Sequence, residues 1–411
     1  MVKSKINKIY PPATIGVVGG GQLGRMLVFE AKRMGYSVVV LDPKGNSPAG
    51  QVADQQIVAG FEDIGAYREL ARKTDVITFE FEHISVEILE LIENEGVKVI
   101  PSSRTLNVIQ NKYKQKTMLK KIGVKVPKFS MVCNLEDLKI EFQRLNQKAI
   151  LKTCTNGYDG KGNVIIKDVA DLENAYHIFG EQEIFIEELI DFVKEVSIIV
   201  VNNDSGVFFY PVVENVHHNS ILIKTLIPAS LSHEVFHKIH IACEKIVEEL
   251  NDSGVFCIEF FVDKNLEVLV NEIAPRPHNS GHYTIEGCET SQFEQLLRVI
   301  CGMPAGSTQL KTPCAMYNIL GNQSVDGEYV VSELDAVLNI PNCYFHLYGK
   351  PETSNLKKIG HITALDDTVE AADYKGKKAL ELLTVRKRTL VSALPATRPN
   401  RKRGRLGNSQ K

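Results

Sequence analysis

The chain has no tryptophan and no two cysteines at CxxC spacing. Its eight cysteines stand singly at 133, 154, 243, 257, 288, 301, 314 and 343. That scatter argues against a zinc module and a disulfide framework, and it fits a reducing compartment, so a cytoplasmic location is expected. Nowhere do about 18 apolar residues run together, and no apolar signal-peptide core stands at the N-terminus, so no membrane partner is expected. A formal charge of −2 supplies no overall basic surface for nucleic acid. The charge is uneven, however. Nine Lys or Arg and no acidic residue lie from Arg386 onward, which leaves the body before it acidic by about eleven charges. Residues 386–411, rich in Arg, Pro, Asn and Gly, are predicted to be a basic, disordered tail.

What is present suffices for two or three packed domains: 411 residues, 44% of them apolar. Apolar, β-branched runs at 14–18, 36–41, 76–81 and 97–101 alternate with helical spacing over 22–34 and 86–95. Such alternation predicts a parallel, doubly wound α/β sheet. From Lys112 the character changes to α+β. A Lys-rich helix over 112–122 precedes strands at 149–152, 164–166, 184–188 and 196–201 and a helix at 233–250. Two strands, 255–262 and 266–273, flank a turn at Asp263-Lys264-Asn265. Residues 313–372 have further strand-like runs, and a last helix is expected near 375–383.

Gly19-Gly20-Gly21-Gln22-Leu23-Gly24 satisfies G-x-G-x-x-G between a strand and a helix, and Asp42 closes the next strand. Backbone amides at such a turn can hold a dinucleotide pyrophosphate. The same turn also serves simply to pack strand on helix, and no later residues form a hydride-transfer set.

The later motifs point to a nucleotide triphosphate. Glu259 and Glu272 lie on the two strands of the proposed hairpin. With its turn centred on Lys264-Asn265, Glu259 falls opposite Val270, and Glu272 lies two residues further along the same face. Two carboxylates within apolar runs are costly to bury bare. Mg²⁺, which takes one or two carboxylates plus phosphates, would offset that cost. Prolines on both sides stiffen Arg276, whose guanidinium suits a transferring phosphoryl group. Asn279 and Ser280 follow as neutral donors. Upstream, the loop Gly157-Tyr158-Asp159-Gly160-Lys161-Gly162-Asn163 can present amides to phosphates, with Lys152 as a point charge beside it. Glu187-Glu188-Leu189-Ile190 reads as a strand entering a linker, where an adenine edge could be met.

Five segments, GGGQLGRM (19–26), FEFEH (79–83), GYDGKG (157–162), ENVHHNSIL (214–222) and NEIAPRPHNSGHYTIEGCETSQFEQ (271–295), together resemble the ATP-grasp superfamily. Within it they are similar to the 5-(carboxyamino)imidazole ribonucleotide synthases. The resemblance implies a Rossmann-like domain over 1–111, an ATP-grasp domain over 112–312 and a small β-rich C-terminal domain over 313–385. It implies ATP among Lys112, Lys152, residues 157–163, Glu187 to Ile190, Glu195, His217, Asn271 and Glu272. Mg²⁺, or Mn²⁺ in its place, would sit on Glu259 and Glu272. The implied reaction joins bicarbonate to the amine of 5-aminoimidazole ribonucleotide at the expense of ATP. Arg276, Tyr158, Asp159 and Glu80 would carry it, with Glu82 the substitute for Glu80. Gly21, Gln22, Asn279 and Ser280 would line the ribonucleotide side, and Lys350, Lys357 and Lys358 would meet its phosphate. Position 357 departs from the pattern, which has Arg there; Lys keeps the charge but loses the two-pronged fork. A homodimer is also implied. The formate-dependent glycinamide ribonucleotide transformylases share the fold and an RPH motif but resemble the chain less beyond it.

Overall fold

The computed structural model describes residues 7–155, 157 and 162–388. Its first sheet is parallel throughout, in the order Gln55–Val58, Ser37–Asp42, Thr14–Val18, Val76–Phe79. The central strands read as unbroken apolar runs because helices cover both faces, and all four residues of Val76–Phe79 are buried. The helix Gln22–Arg33 turns Leu23, Met26, Leu27 and Ala31 inward at the 3- and 4-residue spacing expected of it. The run predicted as a strand at 97–101 is reduced to one bridge, Ile77 to Val99. Pro101, with no N–H to give, ends the pairing there. Gln55–Val58, which its two glutamines disguise, takes the opposite edge.

The glycine turn is filled from within. The Gly20 amide donates to Asp42 Oδ2 at 2.8 Å, and the Gly24 amide to Glu80 Oε2 at 2.7 Å. The Gly21 amide donates to the other oxygen of Glu80. Two carboxylates of the chain itself thus occupy the amides and the positive helix end that a pyrophosphate would use. Gly19 sits at φ +98°, and a Cβ there would strike the Glu80 side chain and come within 2.9 Å of the Phe81 ring. Gly19→Ala is therefore expected to destabilise the protein by about 2–4 kcal/mol, combining left-handed strain with overpacking. A denaturant midpoint unchanged from that of the parent would contradict this.

A four-stranded antiparallel sheet in the order Phe129–Val132, Ile184–Glu188, Ala149–Thr153, Asn163–Ile166 forms a small lobe. The large sheet has nine strands, with Gly254–Asp263 between Phe192–Asn203 and Val268–Ala274. It runs on without a break through Ile221–Ile227 into Cys314–Leu320, Lys358–Leu365 and Cys343–Leu347. Residues on both sides of position 313 thus share one sheet. The last helix, Val369–Leu382, begins six residues before the expected start, capped by the Thr368 hydroxyl on the Ala371 amide. Thr384–Lys387 then pairs with Gly327–Ser332, so Arg386 and Lys387 belong to a strand and not to the predicted tail. Residues 389–411 of that tail lie outside the described residues. Among the described residues, no helix is long and apolar enough to cross a membrane.

The hairpin register corrects the expectation for the paired glutamates. Asp263 N–H bonds the carbonyl of Glu267, and Leu266 stands at φ +59°, so the turn is longer than the Lys264-Asn265 centre allows. Val262 pairs with Val268 and Phe260 with Val270. The register then shifts between Glu259 and Phe260, and Glu259 faces Glu272 directly. An extra residue, Asn271, is absorbed by the bulge.

Candidate active site

A cavity of about 510 Å³ lies where the three regions meet. Gln22, Glu80, Glu82 and His83 come to its wall from the first sheet. Gln110 and Lys112 come from the connecting segment, Gly157 from the small lobe, Glu272, Arg276, His278 and Asn279 from the large sheet, and Lys358 from the C-terminal region. Residues up to 336 positions apart in sequence thus share one space.

The carboxylate pair is the electrostatic centre. Burial and the neighbouring charge of Glu272 raise the Glu259 carboxyl well above the usual range. Burial acts the same way on Glu272, but Lys112, whose Nζ lies 2.7 Å from Oε2, outweighs it and holds Glu272 low. One partner is held ionised and the other is pushed toward its protonated form, as happens when two carboxylates share a buried site. This arrangement fits a divalent cation, and Glu259 and Glu272 are the residues that would hold it.

Behind Lys112, one turn along the helix Lys112–Lys121, lies Lys116, which the sequence reading passed over. It is 2% exposed, 2.6 Å from Glu187 Oε2, and donates to the Asn271 carbonyl at 3.0 Å. Lys152 takes the other Glu187 oxygen at 2.5 Å. Burial pushes Lys116 down to about 8, although Glu187 pulls the other way. The signal was present as an i, i+4 pair of lysines, but a Lys-rich helix reads first as a solvated face. Beside it, Gln115 exchanges two hydrogen bonds with the main chain of Ile273 and so pins the strand that bears Glu272.

Further along this side, Glu195 and His217 are joined across adjacent strands by an ion pair. Burial opposes the imidazolium, yet the Glu195 hydrogen bond outweighs it and raises His217. Glu188, Leu189 and Ile190 are half-buried as the chain leaves the small lobe; the Glu188 amide bonds the Lys128 carbonyl and the Leu189 amide that of Lys148. Asn163 pairs with Lys152 across the hairpin that carries the glycine loop, and Gly162 stands at φ +80°. Tyr158, Asp159, Gly160 and Lys161 lie outside the described residues.

On the opposite wall, Arg276 is held by Glu82, Nε to Oε2 at 2.5 Å and Nη2 to Oε1 at 2.9 Å. Its Nη1 also donates to the Pro277 carbonyl at 3.1 Å. Three of its five N–H groups are committed and two remain for an oxyanion. Glu82 is thereby taken up by Arg276. Glu80 is the one on the glycine turn, its carboxyl raised by burial against the pull of the Gly24 and Gly21 amides. His278 is pushed down to about 3 by burial, then by the Arg276 and Lys358 charges, so its imidazole is neutral. Asn279 reaches the cavity wall with its amide paired to that of Asn318 at 3.0 and 2.6 Å. Ser280 does not reach the wall: it is fully buried, its hydroxyl 2.8 Å from Ser197 Oγ and 2.9 Å from His278 Nδ1. It is placed to fix His278. Lys350 donates to the Lys358 carbonyl at 2.8 Å. Lys358 lines the cavity and Lys357 does not, because successive residues of an extended chain point to opposite sides.

Three family models match along the chain. They describe a ribonucleotide synthetase preATP-grasp domain over residues 12–110, an ATP-grasp domain over 117–293 and a phosphoribosylaminoimidazole carboxylase C-terminal domain over 314–375. The N5-carboxyaminoimidazole ribonucleotide synthase of Bacillus subtilis is 42% identical over 356 residues, which cover 86% of this chain and 92% of that one. The chain belongs to the N5-carboxyaminoimidazole ribonucleotide synthase family. Among solved structures, the Thermotoga maritima N5-carboxyaminoimidazole ribonucleotide synthetase is 42% identical, with a TM-score of 0.83, over 92% of this chain and 100% of that one. A structure of the Aspergillus clavatus N5-carboxyaminoimidazole synthase holds ADP and 5-aminoimidazole ribonucleotide; it is 33% identical, with a TM-score of 0.83, over 91% of this chain and 99% of that one. The family is one of ATP-grasp ligases, which leaves no place for the dinucleotide reading of the glycine turn.

Proposed function

We propose that the chain carboxylates 5-aminoimidazole ribonucleotide with ATP and bicarbonate, giving 5-(carboxyamino)imidazole ribonucleotide, ADP and phosphate. One observation carries the reading: Glu272, which lines the cavity with Lys112, Gln22, Arg276 and Lys358, pairs with Lys112 and is faced across the hairpin by Glu259.

In the proposed assignment ATP lies on the side of Lys112, Lys152, the loop 157–163, Glu187 to Ile190, Glu195, His217 and Asn271. Mg²⁺ on Glu259 and Glu272 would neutralise phosphate charge when bound. A bicarbonate oxygen attacks the γ-phosphorus, the bond to the β-phosphate oxygen breaks, and carboxyphosphate and ADP form. Lys112, Lys152 and the two uncommitted N–H groups of Arg276 hold the charge of the transferring group, since such chemistry is mainly positioning and electrostatics. Carboxyphosphate then either releases CO₂, which the exocyclic amine takes up, or is attacked by that amine directly at the carboxyl carbon, phosphate leaving in both cases. Glu80, fixed on the glycine turn near Gln22, is assigned to orient that amine and accept its proton. Tyr158 and Asp159 keep their proposed roles against the imidazole on the sequence alone.

The test is ADP release with ATP, Mg²⁺ and bicarbonate, with and without the aminoimidazole ribonucleotide. Release that depends on the imidazole is expected; release driven instead by formate and glycinamide ribonucleotide would overturn the assignment. Lys358, and Lys350 behind it, are assigned to the ribonucleotide phosphate. Lys358→Ala is expected to raise KM for the ribonucleotide by roughly 10–100-fold, the weight of a charged hydrogen bond, with little change in KM for ATP. Equal changes in both would remove it from that role. A homodimer is proposed as well, for which light scattering should give twice the 45.8 kDa chain mass. A cytoplasmic location is proposed from the eight free cysteines, seven of them buried; finding the native enzyme in the extracellular fraction would contradict it.

A further inference from the structure

Cys257, Glu259 and His278 bring a thiol, a carboxylate and an imidazole to one point, and the proposed reaction uses only the carboxylate. Cys257 and Glu259 are alternate residues of the strand Gly254–Asp263 and so face the same side. His278 follows the next strand, after the stiff Pro275-Arg276-Pro277 turn. A ligand atom from each lies within 4.8 Å of the other two.

One edge of the cluster already has the spacing of a coordination shell, and the two to Cys257 lie within 4.8 Å. Bonds of about 2.0–2.3 Å from a tetrahedral ion to N, O and S put neighbouring ligand atoms about 3.3–3.7 Å apart. His278 Nε2 is 3.5 Å from Glu259 Oε1, which is such an edge and is long for a hydrogen bond. A second layer is in place: Ser280 Oγ lies 2.9 Å from His278 Nδ1 and 2.8 Å from Ser197 Oγ, fixing the ring with Nε2 toward Glu259. The same hydroxyl is 3.8 Å from Cys257 Sγ. Thiolate and imidazole select zinc-like cations over Mg²⁺, which requires oxygen ligands.

We propose that Cys257, Glu259 and His278 form a site for a soft divalent cation of the Zn²⁺ class, and that its occupancy withdraws Glu259 from Mg²⁺–nucleotide and inhibits the enzyme. The inhibitory half rests on the reading of Glu259 as a magnesium ligand; the binding half does not. Binding releases the Cys257 proton to solvent and makes or breaks no other covalent bond.

Cobalt(II) serves as the probe, titrated into the chelator-stripped full chain. A thiolate-to-cobalt charge-transfer band is expected, bleached by Zn²⁺ and absent from both Cys257→Ala and Cys257→Ser. No band in the parent, or the same band in either variant, overturns the site. In ADP release at saturating Mg²⁺, Zn²⁺ should inhibit reversibly, and the parent should be at least about tenfold more sensitive than Cys257→Ala, whose rate without Zn²⁺ should match it. Equal sensitivity overturns the inhibitory role. MgADP should bleach the cobalt band. A Cys257-dependent band that MgADP leaves unchanged keeps the soft site but overturns the sharing of Glu259.

Discussion

Replacing Glu272 by Gln is expected to lower ADP release by on the order of 10³-fold or more while leaving the protein folded. Glu272 is the ionised member of the facing pair, and its charge is maintained by Lys112 at 2.7 Å. Gln keeps the shape and removes the charge. Glu259 then loses the neighbour that raises its carboxyl, but a single carboxylate cannot bracket a cation against a triphosphate. Stability should change little, because Glu272 stands open to the cavity with its side chain 39% exposed. Lys112, 19% exposed, keeps the neutral amide of Gln as a neighbour, so the cost should stay below the roughly 3–5 kcal/mol of breaking a fully buried pair. Coupled measurement of ADP release and a urea midpoint would check both halves; undiminished release would remove Glu272 from the site.

Lys116→Met is expected to act in the opposite way, through stability and nucleotide binding together. Lys116 and Glu187 are each nearly inaccessible, at 2% and 1%. Breaking a buried pair by removing one partner typically costs about 3–5 kcal/mol. Lys152 would remain on Glu187, so part of that cost is recovered, but Lys152 is then tied to Glu187 when the phosphates need it. Lys116 also holds the Asn271 carbonyl, next to Glu272, and so links the small lobe to the strand of the carboxylate pair. KM for ATP should rise by on the order of 10–100-fold, the effect typical of residues that orient a binding group. A Lys116→Arg variant, which keeps the charge, should recover part of both losses. Parent-like midpoint and KM in Lys116→Met would show that the buried lysine does neither.

The parts of the fold that could be read from sequence were those with one strong physical signal. Val76–Phe79 and Ser37–Asp42 are runs that only a sheet covered on both faces would bury, and Gln22–Arg33 has unambiguous helical spacing. Register was harder to read. Leu266 in a left-handed conformation and a bulge at Asn271 move Glu259 from opposite Val270 to opposite Glu272, and neither is encoded by an apolar or polar pattern. Contacts between distant segments were hidden as well. Glu82 and Arg276 are 194 residues apart, so neither their pairing nor the amides that hold Glu80 on the glycine turn could be read from the motif that carries both glutamates. That turn resembled a dinucleotide site because glycines in sequence do not say what fills the amides they expose. Ser280 follows the Arg276 motif closely in sequence, yet the short 3₁₀ turn Asn279–Gly281 carries its hydroxyl away from the cavity.

The central claim is that this cavity activates bicarbonate by phosphoryl transfer. The most direct test supplies bicarbonate labelled with oxygen-18 together with ATP, Mg²⁺ and the aminoimidazole ribonucleotide, and analyses the phosphate by mass spectrometry. A bicarbonate oxygen that attacks phosphorus stays with it, so one labelled oxygen per phosphate is predicted, matched one to one with carboxylated product. Unlabelled phosphate formed alongside that product would mean that water, and not bicarbonate, takes the phosphoryl group, and would contradict the account.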